Sequence, residues 1–312
     1  MSIKFAYLGI VIIWSTTPLV VQWSSDPYPL FSVMIRMTIG IIACFLFMLL
    51  YRKKITFNRQ SLPVISVAGA SIYLAMTLVY ISATIIPSGW ISVIYGMSPI
   101  VTGIIARYVL DEDNLSRTKI TGMILGVVGL ALVFASGLSF DQKAVWGIIL
   151  CTLAMFVTSS CTVILKKINQ YSQLSGMQTN LGGLVLSLPF FVLSWWFFEL
   201  DIGDSNLTNN LSSNLNSISM RAYLSMIYLG IIATTLGFTL YYYLIKNISA
   251  TRVSMIALIT PVTALFLGSW LNNEPIVWTV WLGAALICSG LLLFELNLRD
   301  SWQSLRRYFR GV

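Results

Sequence analysis

The chain contains no histidine among its 312 residues, and only 10% of them are charged. The first absence excludes Ser-His-Asp and Cys-His catalysis, histidine-ligated zinc or haem, and imidazole proton relays. The second excludes a soluble globule. Soluble domains carry about 25% charged residues, whereas this chain is 57% hydrophobic with a mean hydropathy of +0.83. Acidic residues are scarce, 11 Asp and Glu against 19 Lys and Arg, giving a net charge of +8. In so apolar a chain that excess points to basic loops on one side of a bilayer rather than to nucleic acid. The four cysteines (Cys44, Cys151, Cys161 and Cys288) all lie in apolar runs, and none belongs to a C-x-x-C pair. They read as small buried hydrophobes, and neither a metal site nor a cofactor is expected. The composition describes an all-α polytopic membrane protein.

A helix crossing the hydrocarbon core needs about 20 mostly apolar residues. That ruler predicts ten spans, near 5–23, 29–51, 62–85, 88–109, 118–136, 144–165, 174–198, 220–245, 250–271 and 276–296. The weakest boundaries are 85–88, at Pro87, and 246–250, at Lys246 and Asn247. The first run holds Trp14 and Pro18 and lacks a small-x-small cleavage site, so it reads as a retained helix and not a signal peptide. With ten spans, alternate loops collect almost all the Lys and Arg on one side. Lys143 and Arg221 fall on the other, and Arg36 lies within a span. The positive-inside rule then places both termini in the cytoplasm of an inner (cell) membrane and the Asn-rich loop 199–219 outside.

The halves repeat. A shift of 162 lays Tyr80 on Tyr242, Ser92 on Ser254, Pro99 on Pro261 and Glu112 on Glu274. A shift of 161 lays Gly122 and Gly129 on Gly283 and Gly290, and a shift of 144 lays Arg36 on Asn180. The repeats are 1–140 and 141–298, followed by a basic cytoplasmic tail, 299–312. Five helices per half is an odd number, so the second half enters the membrane inverted. In such pseudo-two-fold machines the substrate site lies near the midplane, where the halves meet.

Ten spans in five-plus-five inverted repeats, the early W-S-T-T-P (14–18), Arg36-Met37 in the second helix and the paired P…E signatures carry a resemblance. The chain resembles the drug/metabolite transporter superfamily, specifically its ten-helix EamA-type branch, along essentially its whole length. The resemblance implies transport and leaves the substrate open, because the branch carries amino acids, cofactors, drugs and other metabolites. Its second-half tryptophan signal is blurred: Thr158 stands where the 144 shift seeks a partner for Trp14.

A polar residue in a span costs free energy unless it faces a cavity or another helix. Tyr73, Thr77 and Tyr80 form one helical stripe, matched by Thr235, Thr239 and Tyr242 in the second half. Ser92 and Tyr95, with Trp90 nearby, form another. These stripes mark either a wet cavity or helix–helix hydrogen bonds. Arg36 lies about 10 Å from the start of its helix, at 1.5 Å per residue. Its fork suits a substrate carboxylate or phosphate; capping of backbone carbonyls or snorkelling is the other reading. With Trp14 and Asn180, these residues are the expected substrate contacts, and Pro18, Pro99 and Pro261 are the expected hinges. The expected function is that of an inner-membrane transporter, an exporter of small metabolites such as amino acids by alternating access. A larger aromatic cofactor or adenosyl compound is the alternative substrate, with a channel or a membrane enzyme as the competing classes. The expected partners are a small-molecule substrate and membrane lipid, without nucleic acid, around a monomer.

Overall fold

In a computed structural model the chain is described at residues 2–50, 52, 59, 61–110, 117–140, 142–169, 174–199, 218–254, 256, 260–273 and 277–295. Glu112, Glu274, most of the Asn-rich loop and the basic tail lie outside these residues. Helix is the sole regular structure among those described. The elements are α1 (Ile3–Ser25), α2 (Pro29–Leu50), α3 (Leu62–Ala83), α4 (Ser88–Tyr95), α5 (Ser98–Leu110), α6 (Arg117–Phe140), α7 (Gln142–Asn169) and α8 (Gly176–Phe198). The order continues with α9 (Met220–Tyr228), a π-helical stretch (Leu229–Gly237), α10 (Phe238–Asn247), α11 (Ala250–Ser254), α12 (Thr260–Asn272) and α13 (Trp278–Glu295).

Among the described residues, seven helical segments are long and apolar enough to cross a membrane: α1, α2, α3, Ser88–Leu110, α7, α8 and Met220–Asn247. Shorter apolar helices, Ile120–Val133 within α6 and Trp278–Gly290 within α13, fall in two further expected spans, and α11 and α12 fall in a third. The helices break at both weak boundaries, between Ala83 and Ser88 and between Asn247 and Ala250. The polarity is that of a multi-pass membrane protein. Phe45, Leu46, Leu49 and Leu50 on α2, and Val185, Phe190, Leu193 and Phe197 on α8, face outward. Serines, threonines, Arg36 and Asn180 are buried instead. Water would penalise that arrangement and lipid rewards it.

Glycines set the closest helix contacts. A Cβ added to Gly129 of α6 would meet the Gly283 carbonyl oxygen at 2.6 Å, and one added to Gly283 of α13 would meet the Gly129 carbonyl oxygen at 2.7 Å. Gly290 faces the Gly122 carbonyl oxygen in the same way. Only residues without a side chain let the two backbones approach so far. Beyond this pair, α2 lies along α8 and α4 packs on α12. The helix α3 rests against α7 and α8, while Met220–Asn247 rests against α1 and α2. Other interior contacts place α5 on α7 and α12 on α1.

Pro18 sits inside an unbroken α1. Its ring leaves the Trp14 carbonyl without a ladder partner. The neighbouring hydroxyls bond one turn further back, Ser15 to the Val11 carbonyl at 2.8 Å and Thr17 to the Ile13 carbonyl at 2.8 Å. Pro99 and Pro261 are each the second residue of a helix, α5 and α12, and a turn at Gly96 and Met97 precedes α5. Proline is well tolerated there because first-turn N–H groups lack helical acceptors. Glu199 closes α8 and reaches across to the start of α2, accepting from the Leu30 N–H at 2.6 Å and the Phe31 N–H at 2.8 Å. Burial pushes its carboxyl above the usual range, against the pull of those two bonds.

Candidate functional site

A cavity of about 150 Å³ lies in the middle of the bundle. Its wall combines α1 (Trp14, Thr17, Pro18, Val21), α3 (Ser71, Ile72, Ala75, Met76, Val79) and α4–α5 (Ile91, Ser92, Tyr95, Ser98, Thr102). From the rest of the chain come Thr158, Ser159 and Thr162 of α7, Phe238, Tyr241 and Tyr242 of α10, Val253, Thr260, and Arg36 of α2. The wall is mostly apolar and aromatic. Trp14 packs on Tyr241 with ring centroids 5.2 Å apart, and Tyr241 packs on Tyr242 at 5.4 Å. The Tyr241 hydroxyl bonds Thr162, and the Tyr95 hydroxyl lies 3.5 Å from that of Thr158.

Among the described residues, Arg36 is the sole charged one of this wall. It is 1% exposed and held by neutral groups: Nε donates to the Thr234 hydroxyl at 2.8 Å and Nη1 to the Tyr80 hydroxyl at 3.4 Å. The guanidinium carbon lies 5.8 Å from the Tyr80 ring centre. Among the described residues no carboxylate pairs with it. Two hydroxyls of the wall, those of Ser92 and Thr102, are buried and have no hydrogen-bond partner. Such groups are normally satisfied by protein, water or ligand.

The sequence-derived candidates divide by position. Trp14, Pro18, Arg36, Ser92, Tyr95 and Tyr242 line the cavity, and Tyr80 stands behind Arg36, fully buried. Tyr73 is turned to α8, where its hydroxyl bonds Ser194 at 2.6 Å and its ring meets Phe190 and Phe191. Thr77 and Trp90 lie outside the lining, as do Pro99 and Pro261. Asn180, Thr235 and Thr239 meet around the π-helical stretch. The Asn180 amide donates to the Thr234 carbonyl at 2.9 Å, the Thr235 carbonyl at 3.3 Å and the Thr239 hydroxyl at 3.3 Å. The Thr235 hydroxyl donates to the Gly230 carbonyl at 3.0 Å and, across to α2, the Gly40 carbonyl at 3.3 Å. A capping box at the start of α8, Ser175 with Gln178, fixes the turn that precedes Asn180. π-helical segments are frequent at functional sites, and here Arg36 binds the hydroxyl of Thr234 while Asn180 binds its carbonyl.

Residues absent from the sequence-derived set include Thr158, Thr162, Phe238, Tyr241 and the apolar face of α3. The repeat carried a signal for several of them. Under the 144 shift Trp14 pairs with Thr158 and Pro18 with Thr162. Under the 162 shift Met76 pairs with Phe238, Val79 with Tyr241, Ile91 with Val253 and Ser98 with Thr260. Both members of all these pairs line the cavity.

Apolar surface on the outside and an interior cavity drawn from both halves of the chain define a multi-pass membrane protein. The chain belongs to the EamA-like transporter family, whose profile matches residues 1–135 and again residues 145–296. It is a transporter, not an enzyme. It is 25% identical to the uncharacterized transporter YoaV of Bacillus subtilis over 94% of this chain and 96% of that protein. It is 26% identical to proteins named "Probable amino-acid metabolite efflux pump" from Salmonella typhimurium and Escherichia coli, over 68% of this chain and 69% of each of them. A solved crystal structure shares the fold with a TM-score of 0.71, at 15% identity, covering 96% of this chain and 99% of that one.

Proposed function

We propose that the protein exports small carboxylate-bearing metabolites of amino-acid size across the inner membrane, by alternating access around the central cavity. The observation that carries this reading is a buried, acid-free Arg36 on the wall of a cavity lined by repeat-related residues. A guanidinium without a counter-ion in a low-dielectric interior favours an incoming anion. The names of the two efflux-pump relatives agree with that chemistry. The cavity volume, about 150 Å³, is below the roughly 300–1,000 Å³ of pockets for drug-sized ligands. That favours an amino-acid-sized substrate over an adenosyl compound.

The architecture of this reading is ten spans in two inverted repeats, 1–140 and 141–298. Its support is reciprocal packing. Exchanging the halves turns the Gly129–Gly283 contact into the Gly290–Gly122 contact, and turns α3 on α7 and α8 into Met220–Asn247 on α1 and α2. The same exchange turns α5 on α7 into α12 on α1. An isologous two-fold contact has this property. The two arrangements of such a machine, open to opposite sides, have similar energies, and Pro99 and Pro261, each second in its helix, lie at matched positions where bending can occur.

Orientation supplies the experiment. In intact cells a tag after Val312 is expected to be shielded from external label, while a cysteine placed at Asn210 reacts with an impermeant maleimide. The opposite pattern, or both sites on one side, contradicts the ten-span arrangement.

A further inference from the structure

We propose that the cavity selects a small monocarboxylate with no second charge, a 2-oxo, 2-hydroxy or N-acyl acid with an apolar body, over the zwitterionic amino acid. This rests on the reading of the chain as a carrier with this cavity as its binding site. The argument is one of charge balance. Arg36 brings one positive charge to the wall, and among the described residues neither an acid nor a second base joins it. Its Nε and Nη1 are spent on the neutral oxygens of Thr234 and Tyr80. One carboxylate neutralises one guanidinium and leaves the occupied cavity without net charge. That is the lowest-cost state in a membrane interior.

A zwitterion also brings an ammonium, for which the wall offers no carboxylate. The rings that attract cations elsewhere are packed on one another, Trp14 on Tyr241 and Tyr241 on Tyr242. A phosphate ester brings about −1.5 to −2 charges at neutral pH, more than one arginine balances. The hydroxyls of Ser92 and Thr102, buried and without partners, are O–H donors for a neutral carbonyl or hydroxyl oxygen beside the carboxylate. Ile72, Ala75, Val79 and Ile91 supply the apolar surface that receives an aliphatic body. The chemistry of this wall therefore matches an acid whose amino group has been removed or acylated.

Three isosteric probes test this on the purified full-length protein in lipid nanodiscs: 4-methyl-2-oxopentanoate, leucine and 3-methylbutylamine, with affinities measured calorimetrically. The oxo acid is expected to bind at least about tenfold more tightly than leucine, a difference of about 1.4 kcal/mol, and the amine not to bind. The Ser92→Ala, Thr102→Val double variant is expected to weaken the oxo acid severalfold while its melting temperature stays within a few degrees of the wild type. Equal or tighter binding of leucine, or measurable binding of the amine, overturns the inference while leaving the carrier reading intact. Absence of binding by all three overturns it too. In that case, counterflow of some other metabolite in proteoliposomes separates the loss of this inference from the loss of the carrier reading.

Discussion

An Arg36→Gln protein is expected to fold normally and to lose transport by about two orders of magnitude. Truncating one partner of a buried charge pair costs roughly 2–5 kcal/mol, and each 1.4 kcal/mol is about a factor of ten. Glutamine is long enough to keep a hydrogen bond to Thr234, so the anchor between α2 and the π-helical stretch survives while the positive charge is lost. Arg36→Lys keeps the charge but loses the fork and the Nε donor. It is expected to retain intermediate activity, about tenfold below the wild type. The relevant quantities are initial rates of substrate exchange at saturating and limiting concentrations, alongside the melting temperature of each variant. If Arg36→Gln transports as the wild type does, the arginine is a structural cap. If both variants lose transport only in proportion to folded protein, the same conclusion follows.

Gly290→Leu is expected to abolish accumulation of folded protein. Its side chain would start on the Gly122 carbonyl oxygen, with the Gly126 nitrogen 2.9 Å away. Both are backbone atoms of α6, so no rotamer change relieves the clash and the α6–α13 pair must separate. Overpacking by a single methylene group already costs about 1–3 kcal/mol, and leucine adds a whole branched chain. The reciprocal variant, Gly129→Leu, whose Cβ would meet the Gly283 carbonyl oxygen at 2.6 Å, is expected to fail in the same way, whereas Gly9→Ala should be tolerated. At Gly9 an added Cβ meets only the end of the Leu240 side chain, at 3.2 Å. The yield of monodisperse protein on size exclusion measures this directly. Normal yield from Gly290→Leu contradicts the close glycine pairing.

How much of this was legible in the sequence differs by element. The glycines matched by the 161 shift are the ones that meet across α6 and α13, because only a residue without a side chain permits that approach. Trp14, Arg36, Ser92, Tyr95 and Tyr242 were singled out as polar or amphipathic residues deep in apolar helices, and the cavity wall contains all of them. On α3 the same logic selects a different side of the helix from the one that lines the cavity. Tyr73 and Tyr80 bond Ser194 and Arg36, and the cavity is met by Ser71, Ile72, Ala75, Met76 and Val79. In a membrane protein a polar stripe is as much a seam between helices as a wet surface. A carrier for a substrate with an apolar body needs apolar wall, which sequence pattern alone cannot separate from packing.

The π-helical stretch was not legible at all. Leu229–Gly237 reads as ordinary apolar helix, and its altered hydrogen-bond register depends on groups from other helices. Asn180 of α8 takes the carbonyls of Thr234 and Thr235, and the Gly40 carbonyl of α2 takes the Thr235 hydroxyl. Asn180 and Arg36, matched by the 144 shift, thus differ in chemistry. One is tied to the backbone of that stretch, and the other holds its Thr234 hydroxyl while facing the cavity.

Counterflow in proteoliposomes tests the central claim, that an Arg36-centred cavity carries small carboxylates across the membrane. Vesicles holding wild-type protein and loaded with unlabelled 4-methyl-2-oxopentanoate are diluted into a trace of the labelled acid, without an ion or pH gradient. The account predicts a transient accumulation of label inside, absent from empty vesicles and from those holding Arg36→Gln. No overshoot with any small carboxylate, or an equal overshoot with Arg36→Gln, contradicts it.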